Sequence, residues 1–248
     1  MKKLLILLLL PLLLFGGETL FQISTIDALL TGLYDGFITL EDLSKKGDFG
    51  IGTYHQLDGE MIVMNGVFYQ VKADGKVYTP ELSTTSPFAS ISHFEAEDSI
   101  TLKTISSQDF FEVSSEFFPS WNIFYAVKMT GKFSYIKTRS VPKQPWPYPP
   151  LAEIAAEQPT FEYHDIEGTI VGFRCPPYVK SINVPGFHLH FLSKDKTVGG
   201  HLLNFHITKA QMEIDCLHNF ELQVPKDDKF YKTNLHTDKS KELKKVEK

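Results

Sequence analysis

Three histidines form the densest group of residues that could do chemistry. His188 and His190 stand two residues apart in the stretch GFHLHF, and His201 follows a pair of glycines. Side chains two apart on a strand share a face, with Cα atoms roughly 6.5–7 Å apart. The polar, glycine-ended segment 193–200 is typical of a hairpin loop, which would return His201 on the neighbouring strand. Three imidazoles suit a catalytic Zn²⁺ site, because positions remain open for water or substrate.

The alternative is a set of three partly exposed strand histidines, since a His-x-His pair alone is a weak signal. The chain's other histidines lack such grouping and are interpreted as structural or surface residues: His55, His93, His164, His206, His218 and His236. A zinc site does not define a reaction by itself, because the ion can hydrate, hydrolyse or stabilise an enolate. Other motifs must therefore decide the chemistry.

The composition is that of an ordinary globular chain that binds no nucleic acid. Of its 248 residues, 42% are hydrophobic and 22% charged, with a formal net charge of −5. A negative chain offers no basic face for phosphates, which argues against a nucleic-acid partner. Cys175 and Cys216 are the only cysteines. Two cysteines make no framework, so they are interpreted as small buried hydrophobes, with a disulfide as the alternative.

The first seventeen residues have the pattern of a secretory signal peptide. Lys2 and Lys3 precede an apolar run from Leu4 to Phe15, and two glycines follow. As a helix, that run would reach only about 18 Å, short of the roughly 30 Å hydrocarbon core. A buried core helix is the alternative. The pattern predicts export to the periplasm or the medium, with no membrane attachment after cleavage.

The segment 18–141 is predicted to be an N-terminal domain that mixes helices with a β-sheet. Helical spacing indicates a helix over Ser24–Leu33, and a capping signal at Thr39 indicates a second, shorter one. Asn65-Gly66 predicts a two-residue hairpin turn. Further strands are expected over 91–93, 99–105, 123–129 and 133–139, with a helix near 107–118.

The second half is predicted to be a smaller, β-rich domain that carries the metal. Five prolines make 142–150 a stiff linker, with a rigid internal loop as the alternative. Strands are expected over 160–163, 169–174, 187–192, 201–207 and 211–217 within a domain of residues 151–225. The charged tail 226–248 is expected to be helical. The fold class expected is therefore mixed α/β with two domains.

Several long stretches together resemble the acetolactate decarboxylases. The resemblance follows the family's order and covers essentially everything after the signal peptide. The matching stretches are Thr19–Asp35 (TLFQISTIDALLTGLYD), Gly47–Val63 (GDFGIGTYHQLDGEMIV), Phe133–Gln144 (FSYIKTRSVPKQ), Gly168–Arg174 (GTIVGFR), Asn183–Phe191 (NVPGFHLHF) and Gly199–His201.

The resemblance implies the site residues as well as the activity. It implies that His188, His190 and His201 hold Zn²⁺ and that no organic cofactor is used. It places catalytic residues at Glu60, Arg139 and Thr53, and brings a glutamate from the tail to the metal. For that glutamate, Glu247 is the better match and Glu242 the second. Without the resemblance, Glu60, Arg139 and Glu247 could each be ordinary surface charges.

The reaction implied is decarboxylation of (S)-2-acetolactate to (R)-acetoin and CO₂ in acetoin biosynthesis, with 2-aceto-2-hydroxybutyrate as a second candidate substrate. The substrate carries its own electron sink, because its ketone can accept the electrons as an enediolate that the cation stabilises. Glu60 is the first candidate for proton transfer, with Arg139 close behind. The rival functions are a secreted zinc hydrolase that uses a metal-bound hydroxide and a non-enzymatic metal-binding protein. The family also implies a homodimer.

Overall fold

The computed structural model describes residues 18–247, so the predicted signal peptide lies outside the described residues. Strands dominate, with short helices between them. In chain order the elements are β1 (Thr19–Ile23), α1 (Ile26–Leu30), β2 (Ile38–Thr39), α2 (Leu40–Ser44), β3 (Phe49–Thr53), β4 (Glu60–Met64), β5 (Val67–Val71), β6 (Val77–Tyr78), β7 (Thr85–Ser86), β8 (Ala89–Ser92), β9 (Asp98–Ser106), α3 (Ser107–Val113), β10 (Phe124–Arg139), α4 (Leu151–Glu157), β11 (Thr160–Cys175), β12 (Gly186–Ser193), β13 (Gly199–Leu217), β14 (Asn219–Gln223), α5 (Asp228–Lys232) and α6 (Ser240–Val246).

One sheet has seven strands in the order β14-β1-β8-β3-β4-β5-β6. β14 runs parallel to β1, and the remaining neighbours are antiparallel. The predicted hairpin is confirmed, since β4 and β5 pair around Asn65 and Gly66, which both have positive φ. A two-residue turn with positive φ at both positions matches the twist of the flanking strands.

The second sheet has five strands in the order β10-β11-β12-β13-β9, and β10 also pairs with β13. Because of this extra pairing, β10, β11, β12 and β13 form a closed ring in which each strand pairs with two of the others. β10 and β11 each span sixteen residues and β13 nineteen, so each covers two of the short strands expected from the sequence. The mixed α/β class is confirmed by these two sheets and the helices between them.

The sheets are not divided at the proline-rich segment 142–150. β9 and β10 precede that segment but lie in the same sheet as the histidine strands, while β14 follows it and pairs with β1. The predicted boundary at residue 141 therefore does not follow the sheet membership. The reason is that strand partners far apart in the sequence leave no local pattern in either strand.

A shared hydrophobic cluster joins the two sheets. Phe49, Ile51 and Ile62 of the first sheet pack with Phe173 and Leu192 of the second at 2% exposure or less. Removing such apolar surface from water stabilises by about 25 cal/mol per Å². This packing brings β4 against β12 and so brings the two halves of the functional site together.

The first helix is shorter than the sequence predicts, and the second begins where the sequence predicts. α1 spans only Ile26–Leu30, and its N-cap is Thr25, whose hydroxyl accepts from the backbone N–H of Ala28 at 3.2 Å. Thr31 caps the helix, and Gly32, with φ of +98°, follows that cap and ends the helical path. The longer helix predicted to begin at Ser24 is therefore wrong in its bounds. The capping signal at Thr39 is confirmed by α2.

The C-terminal helix packs onto the body of the protein. Leu243 and Val246 of α6 are buried in a cluster that contains Leu151 and Ile154 of α4. Helix α4 was not predicted from the sequence. In the part of the chain that is described, no helix has the length and apolar character needed to cross a bilayer.

Cys175 and Cys216 are both free, and Cys175 is buried as interpreted from the sequence, whereas Cys216 is only partly buried. They lie on β11 and β13, which flank β10 on opposite sides. Two strand spacings amount to roughly 9–10 Å, which exceeds the Cα separation that a disulfide can bridge.

Candidate metal and active site

The three predicted histidines converge on one point. Their ligand-capable nitrogens all lie within 4.8 Å of one another, and among the described residues they form the one group of its kind. The ring centroids form a nearly equilateral triangle with sides of 5.1, 5.2 and 5.3 Å. The two-residue spacing puts His188 and His190 on one face of β12, and the pairing places His201 directly opposite His190.

A backbone contact fixes the ring of His190. Its Nδ1–H donates to the carbonyl oxygen of Met61 on β4 at 2.9 Å. Nε2 therefore carries the lone pair, and this buried atom has no hydrogen-bond partner. A metal-binding histidine ordinarily has its second nitrogen held in this way. The unpartnered Nε2 beside two further imidazoles fits a bound divalent cation.

Burial keeps all three imidazoles neutral, which is the form that binds a metal. Desolvation, aided by the positive charge of Arg139, lowers the pKa of His188 to about 3. Desolvation also lowers the pKa values of His190 and His201 well below the usual range, and neighbouring imidazoles and Arg139 add to the effect. Protons therefore do not compete with a metal at neutral pH.

Glu60 opens β4 and faces the histidines. One of its carboxylate oxygens, Oε2, lies 3.6 Å from Nε2 of His190, and the residue is 8% exposed. Burial raises the pKa of Glu60 to about 7, although Arg139 and the backbone N–H of Val141 act in the opposite direction. Such a carboxyl group can both hold and release a proton near neutral pH.

Arg139 ends β10 directly opposite His201. It is 5% exposed, and its Nε has no hydrogen-bond partner. Burial lowers the pKa of this guanidinium, while Glu247 and Glu60 raise it. The group supplies the positive charge in this cavity, and its unpartnered N–H can reach an incoming anion.

Glu247 follows α6 and reaches the same centre from the tail. Its Oε2 lies 3.8 Å from Nε2 of His201. Burial raises the pKa of Glu247 to about 7, and Arg139 lowers it. Glu247 lines the cavity at the histidines, whereas Glu242, the second choice from the sequence, does not. The position of Glu247 depends on Leu243 and Val246, which anchor the helix.

Thr53 ends β3 directly opposite Glu60. Its hydroxyl donates to the carbonyl oxygen of Gly59 at 2.8 Å. The hydroxyl proton of Thr53 is therefore engaged within the protein, and only the lone pairs of the hydroxyl oxygen are available to another group. Thr53 can accept a hydrogen bond from a group in the cavity.

The cavity that these residues share is small, about 50 Å³, and suits a small molecule. Thr53, Glu60, Arg139, His188, His201 and Glu247 line its polar side. Leu151, Ala155 and Gln158 from α4 and its end contribute to the other side, and sequence reasoning missed them. Leu151 and Ala155 carry no chemical signal, because an apolar wall residue looks like any core residue until the fold places it. Gln158 is polar, but a lone Gln at the end of a helix looks like an ordinary surface residue in the sequence.

A family model described as alpha-acetolactate decarboxylase matches residues 20–237 of the chain. The chain belongs to the alpha-acetolactate decarboxylase family. The resemblance drawn from the motifs is thus confirmed. The expectation that the chain is an enzyme of the carboxy-lyase class is also confirmed, because curated family members match over most of its length.

Two curated alpha-acetolactate decarboxylases illustrate the similarity. The protein of Methanosarcina mazei is 43% identical over 237 residues, which are 94% of this chain and 81% of the relative. The protein of Brevibacillus brevis is 45% identical over 221 residues, which are 88% of this chain and 77% of the relative. The crystal structure of alpha-acetolactate decarboxylase from Bacillus subtilis strain 168 is 35% identical, with a TM-score of 0.90. That alignment covers 93% of this chain and 99% of the crystallised one.

Proposed function

We propose that this decarboxylase converts (S)-2-acetolactate to (R)-acetoin and CO₂ in acetoin biosynthesis, with Zn²⁺ and without an organic cofactor. The observation that carries the proposal is the convergence of three histidines, His188, His190 and His201. Two of them, His188 and His201, line a cavity together with Glu60 and Arg139. Family membership supports the substrate. Three neutral imidazoles support Zn²⁺ over a hard cation, which prefers oxygen ligands.

His188, His190 and His201 would hold the Zn²⁺, which would supply positive charge to offset the negative charge that develops on the substrate as CO₂ leaves. The residues of the chain determine how the substrate lies. Arg139 attracts the substrate carboxylate into the cavity, since it is the positive side chain there. A tight bidentate grip would stabilise the bound carboxylate and oppose its loss. Arg139 is therefore assigned to orientation, with a second role as a proton relay.

Glu60 is assigned to proton transfer. Loss of CO₂ leaves one carbon that must gain a proton, and a donor fixed on one face delivers it to one face only. Burial favours the protonated form of Glu60, because removal from water penalises the carboxylate and so raises its pKa. Its place on β4, facing His190, holds it on one side of the cavity. This arrangement supports a single acetoin enantiomer.

Glu247 and Thr53 complete the cavity. Glu247 closes it beside His201 and is assigned to supporting a ligand or a water. Thr53 accepts a hydrogen bond from the substrate hydroxyl, since its own proton is donated to Gly59. Both assignments rest on position within the cavity.

The decisive experiment measures CO₂ release and acetoin chirality from racemic 2-acetolactate, with and without a chelator. We expect one CO₂ for each acetoin formed, and a single acetoin enantiomer. Both products should disappear when zinc is removed and return when zinc is restored. Hydrolysis of esters or amides without any CO₂ from 2-acetolactate would replace the proposal with the zinc hydrolase. Full activity in protein stripped of zinc would refute the metal's role.

We also propose that the protein is exported and forms a homodimer. Export rests on the charged, apolar, small-residue order of residues 1–17. Amino-terminal sequencing of protein recovered outside the cytoplasm would detect cleavage near Gly17, whereas an intact Met1 would contradict export. Light scattering should give twice the chain mass, and a monomer at micromolar concentration would contradict the dimer.

A further inference from the structure

The strand β10 ends in the segment 138–141, which reaches three groups of the candidate site. Arg139 lies in this segment, directly opposite His201. Two residues later, the backbone N–H of Val141 lies near the carboxylate of Glu60 and favours its charged form. One short stretch of backbone therefore governs how the guanidinium, a candidate metal ligand and the candidate proton donor lie relative to one another.

Two buried hydroxyl groups flank Arg139 in this segment. Thr138 and Ser140 are both 0% exposed, and neither lines the cavity that Arg139 lines. Burying a hydroxyl costs free energy unless the group is hydrogen-bonded. Both hydroxyls meet this need by donating to backbone carbonyl oxygens of other strands.

The Thr138 hydroxyl ties the segment to the histidine strand β13. It donates to the carbonyl oxygen of Gly199, two residues before His201, at 3.0 Å. The two backbones approach closely here, because a Cβ added at Gly200 would lie 2.5 Å from the carbonyl oxygen of Arg139. Gly200 also has φ of +134°, which residues with a side chain rarely adopt. The glycine pair thus makes room for β10, and Thr138 fixes β10 against β13.

The Ser140 hydroxyl ties the same segment to the hairpin that carries Glu60. It donates to the carbonyl oxygen of Val71 at 2.7 Å. Val71 ends β5 and pairs directly with Glu60 on β4. The backbone N–H of Ser140 also donates to the carbonyl oxygen of Pro159 at 3.3 Å. Ser140 therefore holds the end of β10 against the first sheet, while Thr138 holds it within the second.

The position of this backbone matters because the Arg139 head group is not fully held by the protein. Its buried Nε has no hydrogen-bond partner. The place of the guanidinium therefore depends on the backbone from which the side chain extends. A displacement of about 1 Å in a group that orients a substrate can cost roughly 100-fold in rate.

We propose that Thr138 and Ser140 are positioning residues for the decarboxylation. Their hydroxyls hold the backbone of Arg139 in the place from which its guanidinium orients the substrate carboxylate. This assignment rests on the proposed function, because it takes decarboxylation in the cavity and the orienting role of Arg139 as given.

The test is a double-mutant cycle between each hydroxyl and Arg139. Thr138→Val and Ser140→Ala remove the hydroxyls with little change in side-chain volume. In the zinc-loaded protein, each should lower kcat/KM for 2-acetolactate about 10-fold, below the roughly 100-fold cost of a displacement of 1 Å. In the Arg139→Gln background, each should change kcat/KM less than about 2-fold, because the group that it would displace is already absent.

Two further variants separate positioning from a general loss of stability. Thr138→Ser keeps the hydroxyl and should recover most of the activity that Thr138→Val loses. Thr169→Val makes the same chemical change at a buried threonine of β11, whose hydroxyl lies 3.2 Å from that of Thr130 and outside the cavity. It should leave kcat/KM unchanged.

A binding measurement covers variants whose turnover is too slow to compare. The probe is 2-hydroxy-2-methylpropanoate, which has the carboxylate and the hydroxyl but no ketone to accept the electrons. Its Kd, measured by calorimetry, should rise in Thr138→Val and in Ser140→Ala. Neither substitution should raise the Kd further in the Arg139→Gln background. No binding to the parent protein would contradict the orienting role of Arg139 and so overturn the assignment.

The outcomes separate the two proposals. No CO₂ from 2-acetolactate with the parent protein would overturn the proposed function. Equal fold-losses in both backgrounds, or a Thr138→Ser variant as impaired as Thr138→Val, would overturn the positioning role alone. If neither hydroxyl variant folds, amide hydrogen exchange of the unaltered protein decides. The amides of residues 139–141 should exchange as slowly as those inside β10, and exchange as fast as in an exposed loop would overturn the assignment.

Discussion

His190 and His201 lie directly opposite each other on β12 and β13, and theirs is the last pair before those strands separate. Opposed side chains on neighbouring strands lie about 4.5–5.5 Å apart at Cβ, which suits two ligands of one ion. The cavity that Glu60 and Arg139 line also has His201 in its wall, on the side of this pair where β4 lies. One strand pairing thus positions two of the three candidate metal ligands against each other.

Replacing both His188 and His190 by Ala should abolish stoichiometric zinc binding, because only one of three imidazoles remains. Zinc per chain, measured by mass spectrometry after dialysis, should fall from about one toward zero. His236→Ala is the control, since His236 is exposed and lies outside the cluster. Near-stoichiometric zinc in the double variant would disprove the ligand assignment.

Glu60→Gln should lower kcat by about 10²- to 10⁴-fold, the usual contribution of a positioned proton donor. The amide keeps the size of the side chain but cannot transfer a proton. Bound zinc should persist, because the three histidine ligands are unchanged. Glu162→Gln is the control, because Glu162 is exposed, pairs with Lys137 and does not line the cavity. Unchanged turnover together with unchanged acetoin chirality would remove Glu60 from the reaction.

Glu247→Gln should reduce turnover, whereas Glu242→Gln in the same helix should not, because only Glu247 lines the cavity. Equal activity in the two variants would contradict the assignment.

Truncation after Lys239 should also destabilise the fold by about 3 kcal/mol, since it removes Leu243 and Val246 from their cluster. Denaturant unfolding measures that loss, and an unchanged midpoint would show that α6 does not stabilise the fold.

Asp215 should make the protein less stable as pH rises from about 4 to about 7. Burial, together with the nearby Glu95, Glu97 and Glu18, raises the pKa of this carboxyl group to about 7. Between the unfolded and folded pKa values the native state binds more protons than the unfolded state, so stability falls with rising pH. Asp215→Asn keeps an acceptor for the N–H of Glu95, which donates to the Asp215 carboxylate.

The pKa of Asp215 rises by about three units, and one unit is worth about 1.4 kcal/mol before solvent screening reduces it. The variant should therefore be more stable than the parent at pH 8, by roughly 1–4 kcal/mol. Urea midpoints at pH 5 and pH 8 measure the effect. An equal difference between variant and parent at both pH values would show that Asp215 does not titrate in this range.

The local elements and the ligand histidines were within reach of the sequence. The Asn65-Gly66 turn, the capping signal at Thr39 and the His-x-His spacing on β12 each depend on residues a few positions apart. Over such distances backbone geometry fixes which side chains share a face. Glu60, Arg139 and Thr53 were found through family motifs, because no local rule distinguishes them from surface charges and hydroxyls.

The sequence by itself determined which side chains can bind a metal or move a proton, and the family in which they occur. Only the tertiary structure decided that β10 joins the histidine sheet, that α6 delivers Glu247 and not Glu242, and that β12 and β13 separate beside His201. The physical reason is that long-range strand pairing and helix docking are set by the sum of many weak apolar contacts. No short segment carries that sum, so these choices appear only when the whole chain is packed.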